Sequence, residues 1–403
     1  MARIAYISFD QVPAPKGAST HIEAFARGLA NEFGELDLVT VSASGLPAGP
    51  FERWPGVVHW ELPALGPSLI DRVLCFGGFL TRWLRTREFQ AIHFRSIFEG
   101  LSILRHRNGA ALVFEVNGLP SIELKYRYPG SEDDRELMRK IEAQERACIR
   151  AADRIVTPSA VTRDFLVKSR GAARERIAVI PNGADTELFR PRSASPAGAA
   201  WRLLYFGTLS PWQGVDLAIR AVAQVDAAFL RVVGTGSRVR VGALMRLAAK
   251  LGVADRVALC PPVSPAELAE YLAAGNAVLA PLLWNDRNVV QGCCPLKVLE
   301  GMAAGRPVIA SDLEVVRELG RHEEHLLLTR PGSVDAIAEA IVRLRGDPAL
   351  AAALSSNARR LVEERFTWAR ALTSLTTLYR GFLQSGVRDI SGGRSAASDR
   401  EAR

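Results

Sequence analysis

The chain has 403 residues, and at roughly 150 residues per domain it is too long for one simple core. Apolar residues at 48% and charged residues at 23% are ordinary globular values that exclude wholesale disorder, while 33 glycines and 22 prolines without a period argue against collagen-like and solenoid architectures. The formal charge of +8 is evenly spread, with 26 basic and 23 acidic side chains in positions 1–200 and 25 and 20 beyond, so no basic block marks a nucleic-acid binder. The surplus of cations favours anionic partners, either phosphorylated ligands or the face of an anionic membrane.

In chain order, ARIAYIS predicts a first strand, and THIEAFARGLANEF, with Ile22, Phe25, Ala26 and Leu29 at helical spacing, predicts the first helix. The opening MARIAYISF lacks the apolar core and cleavage site of a signal peptide, and no apolar run approaches the ~18 residues of a membrane span, so a cytoplasmic location is expected. LDLVTVS, FQAIHF, AALVFEV, DRIVTPS and IAVIPNG repeat the strand signal, and their alternation with amphipathic segments implies a parallel sheet covered by helices. RPRSASPAGAAW, about residues 190 to 201, crowds Pro, Ser, Ala and Gly as an interdomain linker does. The pattern then restarts with RLLYFGT, AFLRVVG, RVALC, AVLAPL and RPVIAS as five strands, and with helices such as VGALMRLAAKLG and SPAELAEYLAAG, the latter opened by a Ser264–Glu267 capping box. Trp368, Leu372, Leu375, Leu378 and Phe382 fall on one face of a terminal helix. The expected division is an acceptor domain over 1–195, a donor domain over 196–366, a terminal helix over 367–386 and a disordered tail over 387–403.

Two α/β units in tandem place the site in the cleft between them, outside the carboxyl ends of their strands. The most informative segment is QGCCPLKVLEGMAAGRPVIASD, residues 291 to 312, which reads loop, helix, turn, strand, with Pro295 at the first helical position and Gly305 at the left-handed cap. Lys297 and Glu300 share a face near the positive helix N-terminus, where an ammonium and a carboxylate can hold a phosphate and a sugar diol, although a solvent-facing salt pair has the same spacing. In PKGASTH, residues 15 to 21, Gly17 allows backbone approach to an anion and Ser19 or Thr20 is expected to cap the helix. GTGS at 234 to 237 lacks the third glycine of a dinucleotide fingerprint. The odd set Cys75, Cys148, Cys260, Cys293 and Cys294 suggests neither a disulfide framework nor a metal site, and His21 and His93 are too scattered for a metal cage. No cofactor and no metal are therefore expected.

PLKVLEGMAAGRPVIASD, taken with VIPNGADTELFRP, VVGTGS and YFGTLSPWQGVD, resembles the retaining family-four glycosyltransferases of the GT-B fold, also described as glycosyl transferases group 1, over residues 1 to about 385. The resemblance implies two Rossmann-like doubly wound α/β domains facing each other across a cleft, with a C-terminal helix crossing back to the first. It implies a nucleotide-diphosphate sugar as co-substrate, transfer with retention to a sugar, glycolipid or small-molecule acceptor, and a place in glycan, polysaccharide or glycolipid biosynthesis. Donor-binding positions are then Gly17, Gly207, Thr208, Gln213, Gly234, Gly292, Cys293, Cys294, Lys297 and Glu300, with Glu300 on the donor ribose. Lys16, Ser19, Arg287 and Asn117 border the acceptor or the phosphates.

The pattern departs from the family at three places: its first motif Glu falls at Gly292, its basic phosphate clamp at Thr208 and Gln213, and its first-domain His at Arg95. A departing diphosphate still demands positive charge, for which Lys297, Arg287, Arg95 and Lys16 are the candidates. Lys297, Arg95 and Glu300 are the expected catalytic set. The departures leave two rival readings, a catalytically weak nucleotide-sugar-binding protein acting as a partner or regulator, and a sugar epimerase on the same fold. Finally, SLIDRVLCFGGFLTRWLRTREF, residues 68 to 89, mixes Ile70, Leu74, Phe76, Leu80, Trp83 and Leu84 with Arg72, Arg82, Arg85 and Arg87. Its bland reading is a helix packed on the first sheet with a basic outer face; the same composition suits a helix lying on an anionic membrane.

Overall fold

Apolar runs without polar alternation are what a strand covered on both faces requires, and two sheets are built from them in a computed structural model that describes residues 3–192 and 201–390. The first contains β1 (Ile4–Ile7), β2 (Leu36–Val41), β3 (Ala48–Trp54), β4 (Val57–Leu62), β5 (Ala91–Phe94), β6 (Ala111–Glu115), β7 (Arg154–Thr157) and β8 (Ile177–Val179), in the order β3-β4-β2-β1-β5-β6-β7-β8. All pairs are parallel except β3 with β4. The second contains β9 (Trp201–Phe206), β10 (Ala228–Val233), β11 (Val257–Cys260), β12 (Ala277–Ala280), β13 (Val308–Ser311) and β14 (Leu327–Thr329), all parallel, in the order β11-β10-β9-β12-β13-β14.

Sequence order reverses between β1 and β5 and again between β9 and β12, and at such switch points the loops leaving the strand ends part and open a crevice. The two crevices face each other, which is the GT-B arrangement. β3, β4 and β14 are absent from the sequence expectation, because β3 is a half-exposed edge strand broken by Gly49 and Pro50 and β14 has only three residues.

The first helix, Gly17–Phe33, buries Ile22, Phe25, Ala26 and Leu29 on the sheet. The terminal helix, Trp368–Ile390, follows helix Pro348–Arg365 of the second unit and lies on the first, with Ala371, Leu375 and Tyr379 buried there. A Cβ at Gly28 would stand 2.1 Å from Leu372 Cδ2, so only glycine lets these two helices close. The terminal helix runs four residues past the expected end at 386. Residues 193–200, which hold most of the expected linker and the 195/196 boundary, and 391–403 of the expected tail lie outside the described residues. No described helix is long and apolar enough to cross a membrane.

Candidate active site

The crevices merge into one cleft of ≈ 1350 Å³. It is lined by Lys16, Gly17, Ser19, Arg95 and Asn117 from the first unit and by Gly207, Thr208, Gln213, Gly234, Arg287, Cys293, Cys294, Lys297 and Glu300 from the second. Gly292 is the one expected site residue that does not line it.

The second-unit wall is built on helix Leu296–Ala303, for which Pro295 is the N-cap rather than the first helical residue and supplies no side-chain cap. Its first turn, beside the cleft-lining Leu296 and Lys297, therefore has no side-chain acceptor for its amides. Lys297 is buried and donates its ammonium to the Tyr205 hydroxyl at 3.0 Å and to Gln213 Oε1, with Nζ 4.1 Å from the Tyr205 ring centre. The Tyr205 hydroxyl donates in turn to the Thr208 carbonyl at 2.6 Å, so Thr208 and Gln213, where the family clamp would stand, hold the lysine instead of the phosphate. Burial brings Lys297 down from its ordinary 10.5 to about 7 and pushes Glu300 up from 4.5 to about 7. Two opposite groups that each resist ionisation are poised for a ligand that brings charge and hydrogen bonds to them. At Gly234 an added Cβ would lie 1.7 Å from the Gly207 carbonyl oxygen, so the turns after β9 and β10 meet only because residue 234 is glycine.

Gly292 shows why the first motif acid is absent. Its φ is +85°, and a Cβ would stand 2.8 Å from both Ser159 Oγ and Thr162 Oγ1 of the first unit. Restoring the acid as Gly292→Glu is therefore expected to destabilise by about 1–2 kcal/mol from the left-handed backbone alone, more from the clash, and to leave donor affinity unimproved. Denaturant unfolding and donor titration of the variant check both halves.

The preceding loop is pinned to the first unit. Arg287, a sequence candidate for the charge that meets the diphosphate, is half-buried, with Nε 3.3 Å from Glu123 Oε1 and Nη1 3.1 Å from Asn288 Oδ1, and its guanidinium lies over Trp212. Gln291 accepts from the Leu119 amide and donates to Glu123, both at 2.9 Å, and Lys125 reaches Asp286 at 2.6 Å. Burial pushes the Cys293 and Cys294 thiols up, so both are small protonated wall residues.

On the first-unit wall, the expected capping role of Ser19 is not realised: the helix starts at Gly17 with Lys16 as N-cap, and the Ser19 hydroxyl instead accepts from the Ala14 amide at 2.9 Å, closing the loop after β1. Lys16 pairs with Asp10 at 2.6 Å, and Arg95 Nη1 lies 3.5 Å from the other oxygen of the same carboxylate. Behind them sits Glu115, at the buried end of β6. It accepts from Tyr6 Oη at 2.7 Å, His93 Nε2 at 2.9 Å, Arg95 Nε at 3.0 Å and Asn117 Nδ2, and its Oε1 is 2.9 Å from His21 Nε2. Burial alone would raise this carboxyl, but the His21 and Arg95 charges and the hydrogen bonds hold it well below the usual carboxylate range. The network reaches the terminal helix through His93 Nδ1 and the Tyr379 hydroxyl at 2.9 Å. It reaches the loop before helix Leu296–Ala303 through His21 Nδ1 on Asn182 Oδ1 at 2.7 Å and Asn182 Nδ2 on the Cys294 carbonyl at 2.8 Å. Glu115, Asn182 and Tyr205 escape the sequence reading; the visible signals are a carboxylate ending an apolar strand and the Asn in IPNG.

Residues 15–188 match the family model described as Glycosyltransferase Family 4, and residues 200–347 the one described as Glycosyl transferases group 1. The chain belongs to the group 1, family 4 glycosyltransferases. Among curated glycosyltransferases, D-inositol 3-phosphate glycosyltransferase 1 of Catenulispora acidiphila is 29% identical over 396 residues, 92% of this chain and 92% of that one. The D-inositol 3-phosphate glycosyltransferase of Rhodococcus opacus is 29% identical over 391 residues, 90% and 85% of the two chains. Solved structures share the GT-B fold. Sucrose-phosphate synthase from Thermosynechococcus elongatus has a TM-score of 0.81 at 23% identity, covering 96% of this chain and all of that one. Anabaena HepE in complex with UDP-glucose has a TM-score of 0.73 at 18% identity, covering 94% and 100%.

Proposed function

We propose that this glycosyltransferase moves a sugar from a nucleotide-diphosphate donor to an acceptor hydroxyl in the cleft, with retention and without a metal ion, in the synthesis of a polysaccharide or glycolipid. The observation that carries this reading is the Lys297–Glu300 pair at an open helix start. Glu300, on the cleft wall, would accept from a ribose diol, and a diphosphate would restore the full charge of Lys297. The names of the curated relatives and the UDP-glucose complex of a fold neighbour support a nucleotide-sugar donor.

Among the described residues, the two carboxylates beside Arg95 are engaged rather than free to attack: buried Glu115 by its ring of donors, half-buried Asp10 by Lys16, Arg95 and Ser8. Retention then needs no covalent enzyme intermediate. The bond from the anomeric carbon to the phosphate oxygen breaks, the acceptor oxygen bonds to the same face, and the acceptor proton passes to the departing phosphate. Lys297 and the helix amides meet the charge that develops there.

Glu300→Ala should weaken donor binding by one to two decades, since it removes charge-assisted hydrogen bonds of about 1.5–3 kcal/mol, and leave the unfolding temperature near wild type. Isothermal titration with the donor measures it. Activity should also survive a chelator; its loss on chelation would contradict the metal-free part. The rival reading, binding without turnover, is favoured by the uncharged Thr208 and Gln213, and a donor-turnover assay over acceptor mixtures separates it.

A further inference from the structure

Two units of one chain move against each other unless something holds them, and here one short helix does the holding. Helix Pro120–Arg127 of the first unit meets the segment 286–291, which precedes helix Leu296–Ala303 of the second. Two ion pairs run between them in opposite senses: Glu123 accepts from Arg287 Nε at 3.3 Å, and Lys125 donates to Asp286 at 2.6 Å. Reversed polarity fixes which residue meets which, as well as making the surfaces attract. The Tyr126 hydroxyl donates to the other oxygen of Asp286. Gln291 is fully buried and engages both ends of its amide here, accepting from the amide of Leu119, the N-cap of the helix, and donating to Glu123.

The helix is itself anchored. Ser121, in its first turn, gives its amide and its hydroxyl to the buried Glu145 carboxylate at 2.9 and 2.7 Å, and Arg170 donates to that carboxylate at 3.1 Å and to the Ser121 hydroxyl at 2.9 Å. A buried carboxylate satisfied in this way makes a rigid mount. From the far side of the contact the chain leads inward: Asn288 donates to the Trp212 carbonyl at 3.0 Å, and the Tyr126 ring packs edge-on to the Trp212 indole, 5.5 Å between centres. Trp212 adjoins Gln213, the acceptor of the Lys297 ammonium. The grip therefore ends on the group that faces the diphosphate. A second tie lies past Gly292, where Glu318 of the second unit accepts from the Ala160 and Val161 amides at 3.0 and 3.1 Å, at the start of a first-unit helix.

All of these contacts are made within the chain, and none needs a ligand. We propose that Lys125, Tyr126 and Asp286, with Glu123, are positioning residues for the transfer: they hold the two units closed before the donor arrives, so that it enters a site already shaped. Pre-closure raises donor affinity, because no binding free energy is diverted to bringing the walls together. The proposal rests on the transferase reading for its kinetic test alone.

Small-angle X-ray scattering of the full chain should match the structure in radius of gyration before any nucleotide sugar is added, and should show no contraction when UDP-glucose, UDP-N-acetylglucosamine or GDP-mannose is. Lys125→Ala combined with Tyr126→Phe takes both donors from Asp286, keeps a ring on Trp212 and alters no side chain that lines the cleft. If the closed form then falls to about a tenth of the molecules, donor KM rises roughly tenfold while kcat at saturating donor stays within roughly threefold, because the donor recloses the units. The variant should also scatter as a larger particle that contracts on adding donor, with an unfolding temperature near wild type. A merely structural role would lower stability or turnover without that split. A wild type that contracts on binding a nucleotide sugar, or a folded variant with wild-type KM, overturns the latch and leaves the transferase standing. Should the variant not fold, the wild-type scattering decides. If none of the nucleotide sugars binds the wild type, the transferase reading fails instead, and the scattering of the wild type alone still tests the latch.

Discussion

Lys297→Ala is expected to lower turnover by roughly two to three decades, the effect of removing one preorganised group that meets charge in the transition state. Affinity for the free nucleoside should hardly change, because that part of the donor lacks the diphosphate that the ammonium faces. The fold should survive, since burial makes the lysine a cost to the empty protein. Its folded value near 7 lies below its unfolded 10.5, so that cost is fully present at acid pH and relieved as pH rises from about 7 to 10.5. Glu300 has the opposite shift, from 4.5 up to about 7, so its protonated form favours the fold and stability falls as pH rises between those values. The empty wild type should therefore show a local stability minimum near pH 7, and Lys297→Ala should remove its alkaline arm. Arg287→Ala should cost turnover less, because Glu123 and Asn288 already engage that guanidinium. If Arg287→Ala were the more damaging variant, the charge meeting the diphosphate would lie on the loop before the helix.

The second large effect is on stability. Glu115→Gln should destabilise by about 3–5 kcal/mol, the cost of breaking a buried ion pair and leaving its partner uncompensated. Arg95 keeps its charge with Asp10, 3.5 Å away, as its remaining carboxylate beside the Ala18 carbonyl, and the new amide would direct hydrogens at groups that are themselves donors. The carboxyl's folded value is depressed, so its contribution is complete above its unfolded value of 4.5 and lost as pH falls through the folded one. Urea unfolding of both proteins should give a constant difference from about pH 6 upward that shrinks only in acid. A variant as stable as wild type at neutral pH would remove Glu115 from the centre of the wall. Because the same carboxylate positions Arg95, His21 and Asn117, the surviving folded fraction should also turn over more slowly.

Helix Leu296–Ala303 and its two charged residues are legible in sequence because PLKVLEGMAAGRPVIAS carries its own punctuation, a proline before the helix and a left-handed Gly305 after it. The partners of Lys297 are not, since nothing in RLLYFG says that the Tyr205 phenol crosses to a helix 92 positions away. Gly292 reads in sequence as a missing acid; the backbone turn and the approach of Ser159 that exclude any side chain are tertiary facts. Glu115 gathers groups from β1, β5, β6 and the first helix, and no spacing rule links them. For residues 68 to 89 composition counts every apolar side chain alike, whereas packing sends Phe76, Leu80, Trp83 and Leu84 inward and leaves Ile70 and Leu74 outside.

The central claim, a nucleotide sugar held by Glu300 and turned over against Lys297, is tested most directly by thermal unfolding across a panel of nucleotide-diphosphate sugars in wild type, Glu300→Ala and Lys297→Ala. At least one donor should raise the wild-type unfolding temperature, the rise should be largely lost in Glu300→Ala, and that donor should be consumed by wild type and not by Lys297→Ala. A panel in which no nucleotide sugar stabilises the wild type, or in which Glu300→Ala is stabilised as strongly, would contradict it.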